Sequence, residues 1–72
     1  MENKFKDILR EIRLERGISQ VLLANKLGVS KGIISMWENG QREPTLSSII
    51  SIADFFGVTI DYLVGRESWF IF

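Results

Sequence analysis

Phe5, Ile8, Leu9 and Ile12 recur at the i, i+3, i+4, i+7 spacing of an amphipathic helix, with charged residues filling nearly every position between them. Gly17 ends that helix, and Arg16 in its last turn suits the negative end of the helix dipole. Ser19 is an N-cap for a second helix that turns Leu23, Ala24 and Leu27 inward. Gly28 turns the chain sharply, Val29 plugs the corner, and Ser30 caps a third helix, Lys31 to Glu38, whose inward residues are Ile34 and Trp37. Pro44 cannot continue a helix, and Thr45 caps a new one with the stripe Leu46, Ile49, Ile50, Ala53 and Phe56. Gly57 closes it. Thr59 then caps a last short helix with Ile60, Leu63 and Val64 on its apolar side, and Gly65 follows. The pattern predicts an all-α chain of five helices, with a strand signal only in its last four residues.

The stretch Ser19 to Gly40 is the centre of this arrangement. The third helix turns Lys31, Gly32, Ser35 and Met36 outward, a barely charged surface for a solvated helix. Eight residues span about 12 Å, which suits the major groove of duplex DNA, about 12 Å wide. The expectation is a helix presented to DNA and held in place by the others.

Composition narrows the alternatives. Seventy-two residues make one domain. A chain this short buries only about 60% of its unfolded surface. With no cysteine to staple it, it needs a dense apolar core, and 46% hydrophobic residues supply one. No run of 18 apolar residues occurs, so no membrane helix is expected. The charged N-terminus lacks the apolar stretch of a signal peptide, so a soluble, cytoplasmic protein is expected. With neither histidine nor cysteine, a His base, a Cys nucleophile and a His- or Cys-ligated zinc site are excluded. No enzyme, cofactor, metal or small-molecule ligand is expected.

Net charge is zero, which weakens attraction to a polyanion, but the distribution is uneven. Residues 16–42 carry Arg16, Lys26, Lys31 and Arg42 against Glu38 alone, a net +3. Residues 43–72 carry Arg66 against Glu43, Asp54, Asp61 and Glu67, a net −3. Such a dipolar domain can orient on a phosphate backbone.

Several fragments, taken together, resemble the Cro/C1-type repressor domain, the XRE family. They are Gly17-Ile18-Ser19-Gln20, Leu23-Ala24, Leu27-Gly28-Val29-Ser30, Ile34-Ser35 and Trp37-Glu38-Asn39-Gly40, then Pro44 and the Gly57-Val58-x-Ile60-Asp61-Tyr62-Leu63 ending. The resemblance runs from Phe5 to about Arg66. It implies a five-helix, lambda-repressor-like fold over residues 1–66 with the helix-turn-helix unit at 19–38. It also implies a transcription regulator, a repressor by preference, that binds a palindromic operator in double-stranded DNA as a homodimer.

Carried over by position, Gln20 would contact the DNA backbone and buttress the reading helix. Ser30 would touch a phosphate. Lys31, Gly32, Ser35 and Met36 would face the bases. Asn39, Gly40 and Arg42 would hold the backbone on the far side. The residue types fit these roles: Ser, Asn and Gln bond phosphate oxygens, Lys donates to guanine O6 or N7, and an apolar side chain can meet a thymine methyl. The family also implies a partly buried ion pair between Arg13 and Glu38. One departure stands out. Family members often carry Gln, Arg or Asn on the groove face, where this chain has Gly32, Ile33 and Met36.

The last residues, 67–72, form an apolar tail ending Trp69-Phe70-Ile71-Phe72, expected to pack back or to make a dimer contact. The apolar groove face, the neutral charge and this tail motivate an alternative: a protein-interaction module of the same fold with little DNA binding.

Overall fold

The structure is a computed structural model that describes residues 4–66; the apolar tail lies outside the described residues. Five helices follow in order: α1 Phe5–Glu15, α2 Gln20–Leu27, α3 Lys31–Glu38, α4 Leu46–Phe56 and α5 Ile60–Leu63. Among the described residues there is no strand.

Local chemistry sets the helix limits. Ser19, Ser30, Thr45 and Thr59 each accept the backbone N–H of the residue three positions on, so α2 to α5 all begin at a hydroxyl cap. Only α1 lacks a side-chain cap at its start. The helices also end alike. At the close of α2, Val29 N–H donates to the Ala24 carbonyl at 3.0 Å and Gly28 N–H to Asn25 at 3.3 Å. This paired closure needs one left-handed residue, and Gly28 supplies it at φ 73°.

A Cβ added at Gly28 would meet nothing within 4 Å. Gly28→Ala is therefore expected to cost only the left-handed backbone penalty, about 1–2 kcal/mol. Chemical denaturation should show that loss as a lower midpoint with an unchanged slope. A larger loss would mean that packing, not φ, constrains the turn.

Leu9, Leu23, Ile34, Ile52 and Leu63 are the largest fully buried side chains, one from each helix. Phe5, Ile12, Ala24, Trp37, Ala53 and Phe56 complete the buried core. Phe5 meets Trp37 edge to face at a 6.4 Å centroid separation, which ties α1 to α3. α3 packs on α1 and α2, while α4 packs on α2 and α5. α3 is thus gripped along its Ile34–Trp37 side only.

The sequence pattern places Ile49, Ala53 and Phe56 of α4 on the core but misplaces the edge of its buried face. Leu46 is 70% exposed and Ile50 44% exposed, whereas Ile52, outside the expected stripe, is fully buried. The core stripe is Ile49, Ile52, Ala53 and Phe56, which keeps helical spacing but starts three residues later. Leu46, Ile49, Ile50, Ile52, Ala53, Phe55 and Phe56 are all apolar, so periodicity admits both stripes, and docking on α2 and α5 selects one. Ile60, expected inward, is 39% exposed; Leu63 alone anchors α5 in the core.

Candidate nucleic-acid interface

The reading helix is fixed at its C-terminal end by a buried polar cluster. Arg13 of α1 donates through Nε to Glu38 Oε2 at 2.7 Å and through Nη2 to Glu38 Oε1 at 3.0 Å. Its third donor, Nη1, reaches the Ile18 carbonyl at 2.9 Å. Gln20, the first residue of α2, donates its side-chain amide to Glu38 Oε1 at 3.0 Å. One carboxylate therefore joins α1, α2 and α3. Both ion-pair partners are buried, and no buried side-chain polar atom among the described residues lacks a partner. Donating hydrogen bonds to Glu38 raises the Arg13 pKa above its ordinary value; burial opposes this and the carboxylate charge adds to it.

This cluster alters the electrostatics. Glu38 is the only acid in residues 16–42, and Arg13 neutralises it internally. Arg16 is also occupied: it donates to the Phe56 carbonyl at 3.0 Å and lies 5.5 Å from the Phe56 ring centre, closing the end of α4. Lys26, Lys31 and Arg42 remain exposed, with no exposed acid between them in sequence.

The outward side of α3 is open at its start and half-covered further on. Lys31 and Gly32 are exposed, and Ser35 and Met36 are half-buried. Ile33 packs partly against the core, so it is a supporting residue. Ser30 Oγ accepts the Ile33 N–H at 3.2 Å, which leaves its own hydroxyl proton free to donate outward. Asn39 donates to Ser35 Oγ at 3.4 Å, and both Asn39 and Arg42 are exposed just beyond the helix.

Gly40 is at φ 74°, and a Cβ there would lie 2.9 Å from Lys6 Cδ. The stem of Lys6 thus runs across the backbone that follows α3. Lys6 and Arg42 line the same open groove, together with Asp7, Glu11 and Glu43. Sequence order hides Lys6, because it stands among acids that cancel its charge in the N-terminal stretch. No local signal would have placed it beside Gly40.

Gln20, Ser30, Lys31, Gly32, Ser35, Met36, Asn39, Gly40 and Arg42 thus cluster around α3 and its two ends. Among the described residues, no group of His, Cys, Asp and Glu could hold a metal.

The model of the family described as helix-turn-helix matches residues 9–63. The chain belongs to this family, in its Cro/C1-type (XRE) branch. The match runs from one fully buried core residue, Leu9, to another, Leu63. Among helix-turn-helix relatives, the transcriptional activator BcrR of Enterococcus faecalis is 39% identical over 64 residues, covering 89% of this chain and 31% of that protein. The cryptic phage CTXphi transcriptional repressor RstR of Vibrio cholerae is 37% identical over 61 residues, covering 85% of this chain and 55% of that protein. The chain thus spans about a third to just over half the length of these curated relatives. The P22 c2 repressor, solved in complex with a synthetic operator, superposes with a TM-score of 0.81 at 27% identity, covering 88% of this chain and 96% of that one. Among the described residues, no helix of this helix-turn-helix domain is long and apolar enough to cross a membrane.

Proposed function

We propose that this domain is a sequence-specific double-stranded DNA-binding transcriptional regulator of the cytoplasm, acting as a homodimeric repressor on a palindromic operator and carrying out no catalysis. The observation that carries this reading is the outward side of α3. It is exposed at Lys31 and Gly32 and half-buried at Ser35 and Met36, has no acid, and is held at its base by the buried Arg13–Glu38–Gln20 cluster. The similarity to the repressor RstR and to the operator-bound P22 c2 repressor supports the same reading.

Each residue has a role in the proposed complex. Gln20 keeps one amide proton on Glu38 and offers the other to a phosphate. Ser30, Asn39 and the Gly40 backbone fix register on the phosphates, and Arg42 adds charge there. Lys31, Gly32, Ser35 and Met36 face the base edges. One copy covers few base pairs, and a two-fold pair covers two half-sites about 34–36 Å apart.

Selection of bound duplexes from a random pool, followed by titration of the winner, tests the proposal. With Arg42 on a phosphate in each of two subunits, the expected salt slope is about −1.8, or about 12-fold weaker binding between 50 and 200 mM salt. Equal affinity for every duplex would refute sequence-specific regulation. No binding at low salt would favour the interaction module instead.

A further inference from the structure

Lys6 is the second residue of α1, at the positive end of the helix dipole, in a helix whose start has no side-chain cap. A cation is disfavoured there. The core does not hold it either, since its side chain is 51% exposed. Its ammonium lies 3.6 Å from Asp7, whose side chain is 67% exposed. An exposed pair of this kind contributes little, so the ammonium is available to another anion.

The stem of Lys6 is what gives it a direction. A Cβ built at Gly40 would lie 2.9 Å from Lys6 Cδ and 3.5 Å from Lys6 Cε. The far half of the stem therefore lies on the bare backbone of Gly40, and the ammonium is one bond further on. Long cations cover a surface with the stem in this way and keep the charge in water. Lys4 is directed elsewhere: a Cβ at Gly65 would lie 3.1 Å from its Cβ and 3.3 Å from its Cγ, so its stem starts against the end of α5. The groove that both lysines share with Arg42 is lined by Asp7, Glu11 and Glu43 as well, as many acids as cations, so it draws no anion as a whole. Its edge along Gly40 differs, because there the Lys6 stem joins the segment that carries Asn39 and Arg42.

We propose that Lys6 places its ammonium on a phosphate of the duplex beside the one that Arg42 holds, so that α1 joins the DNA interface. The inference rests on the DNA-binding reading above and adds a contact that the outward side of α3 does not supply. A stem already laid on Gly40 has less freedom to lose on binding than a lysine loose in solvent. The contact goes to phosphate, so it adds affinity and salt dependence but no sequence preference.

The experiment titrates the full chain with its selected duplex and with an unrelated duplex of equal length, from 50 to 200 mM salt. With Lys6 and Arg42 each on a phosphate in two subunits, the wild-type slope steepens to about −3.6, or about 150-fold weaker binding across that range. Lys6→Met keeps the apolar stem and removes the charge. It should return the slope to about −1.8, or about 12-fold, on both duplexes alike. Its melting temperature should stay within about 4 °C of the wild type, as for other surface substitutions. Lys6→Arg should keep the steep slope, and so should Lys4→Met. A wild-type slope near −1.8 that Lys6→Met leaves unchanged would overturn the Lys6 contact and leave the regulator standing. An equal drop in Lys4→Met would reduce the effect to overall charge and overturn the assignment. A loss confined to the selected duplex would make Lys6 a base contact and overturn it too. Equal affinity for every duplex would remove the regulator reading, while the slope comparison would still decide Lys6.

Discussion

Replacing Arg13 with alanine is expected to destabilise the domain by about 3–5 kcal/mol, the usual consequence of leaving a buried charge without its partner. The stranded group is Glu38, whose side chain is 3% exposed. Arg13 supplies two of the three side-chain hydrogen bonds that carboxylate receives, and Gln20 supplies the third. The remaining amide cannot neutralise a buried negative charge. In a domain of this size total stability is about 4–11 kcal/mol, so the substitution removes a large share. The melting temperature should fall by at least about 12 °C, taking about 4 °C per kcal/mol as the lower conversion. Unchanged thermal stability would rule out the structural role of the pair.

A second substitution separates this from simple burial. Arg13→Met with Glu38→Leu removes both charges and restores apolar volume. Paired charges replaced together by apolar residues often cost little. The double variant should be more stable than Arg13→Ala by about 2 kcal/mol or more, since it strands only neutral groups. Those groups are the Gln20 amide and the Ile18 carbonyl.

Ile52→Ala is expected to be comparably severe, at about 2–5 kcal/mol, because it opens a cavity at a fully buried position. Leu46→Ala, six residues earlier on the same helix, should change stability by less than about 0.5 kcal/mol, as surface substitutions do. Leu46 is 70% exposed, so truncation removes little buried area. The contrast is read from paired denaturation curves. Equal losses at the two positions would mean that α4 is rotated from the orientation described above.

These two experiments probe opposite kinds of legibility. The Arg13–Glu38 pair was open to expectation from the chain, because the family resemblance places a charge at each position. The number and type of partners were not. Gln20, Arg13 and Ile18 converge on or around Glu38 only after α1, α2 and α3 pack together. Likewise the surface charge of the helix-turn-helix cannot be totalled along the chain. Glu38 and Arg16 both count in the local sum, yet one is neutralised by Arg13 and the other is held by the end of α4. Lys6, counted in another segment, lies against Gly40.

By itself the sequence determined the five helices and nearly all their ends. Hydroxyl caps and closing glycines act within a few residues of where they stand, so no distant contact is needed to read them. It also determined the inward faces of α1 and α3, where polar residues break the apolar pattern enough to leave one orientation; on α2, Val21 and Leu22 are as apolar as the buried Leu23 and Ala24 yet are exposed. Tertiary structure alone decided that Ile52 rather than Leu46 and Ile50 completes the buried face of α4, that Ile60 stays outside the core, and which cations remain free. On α4 apolar residues occupy more than one face, so only the neighbours it meets can choose between them. A charge is free or occupied according to what lies beside it in space, and that is settled by packing between residues far apart in the chain.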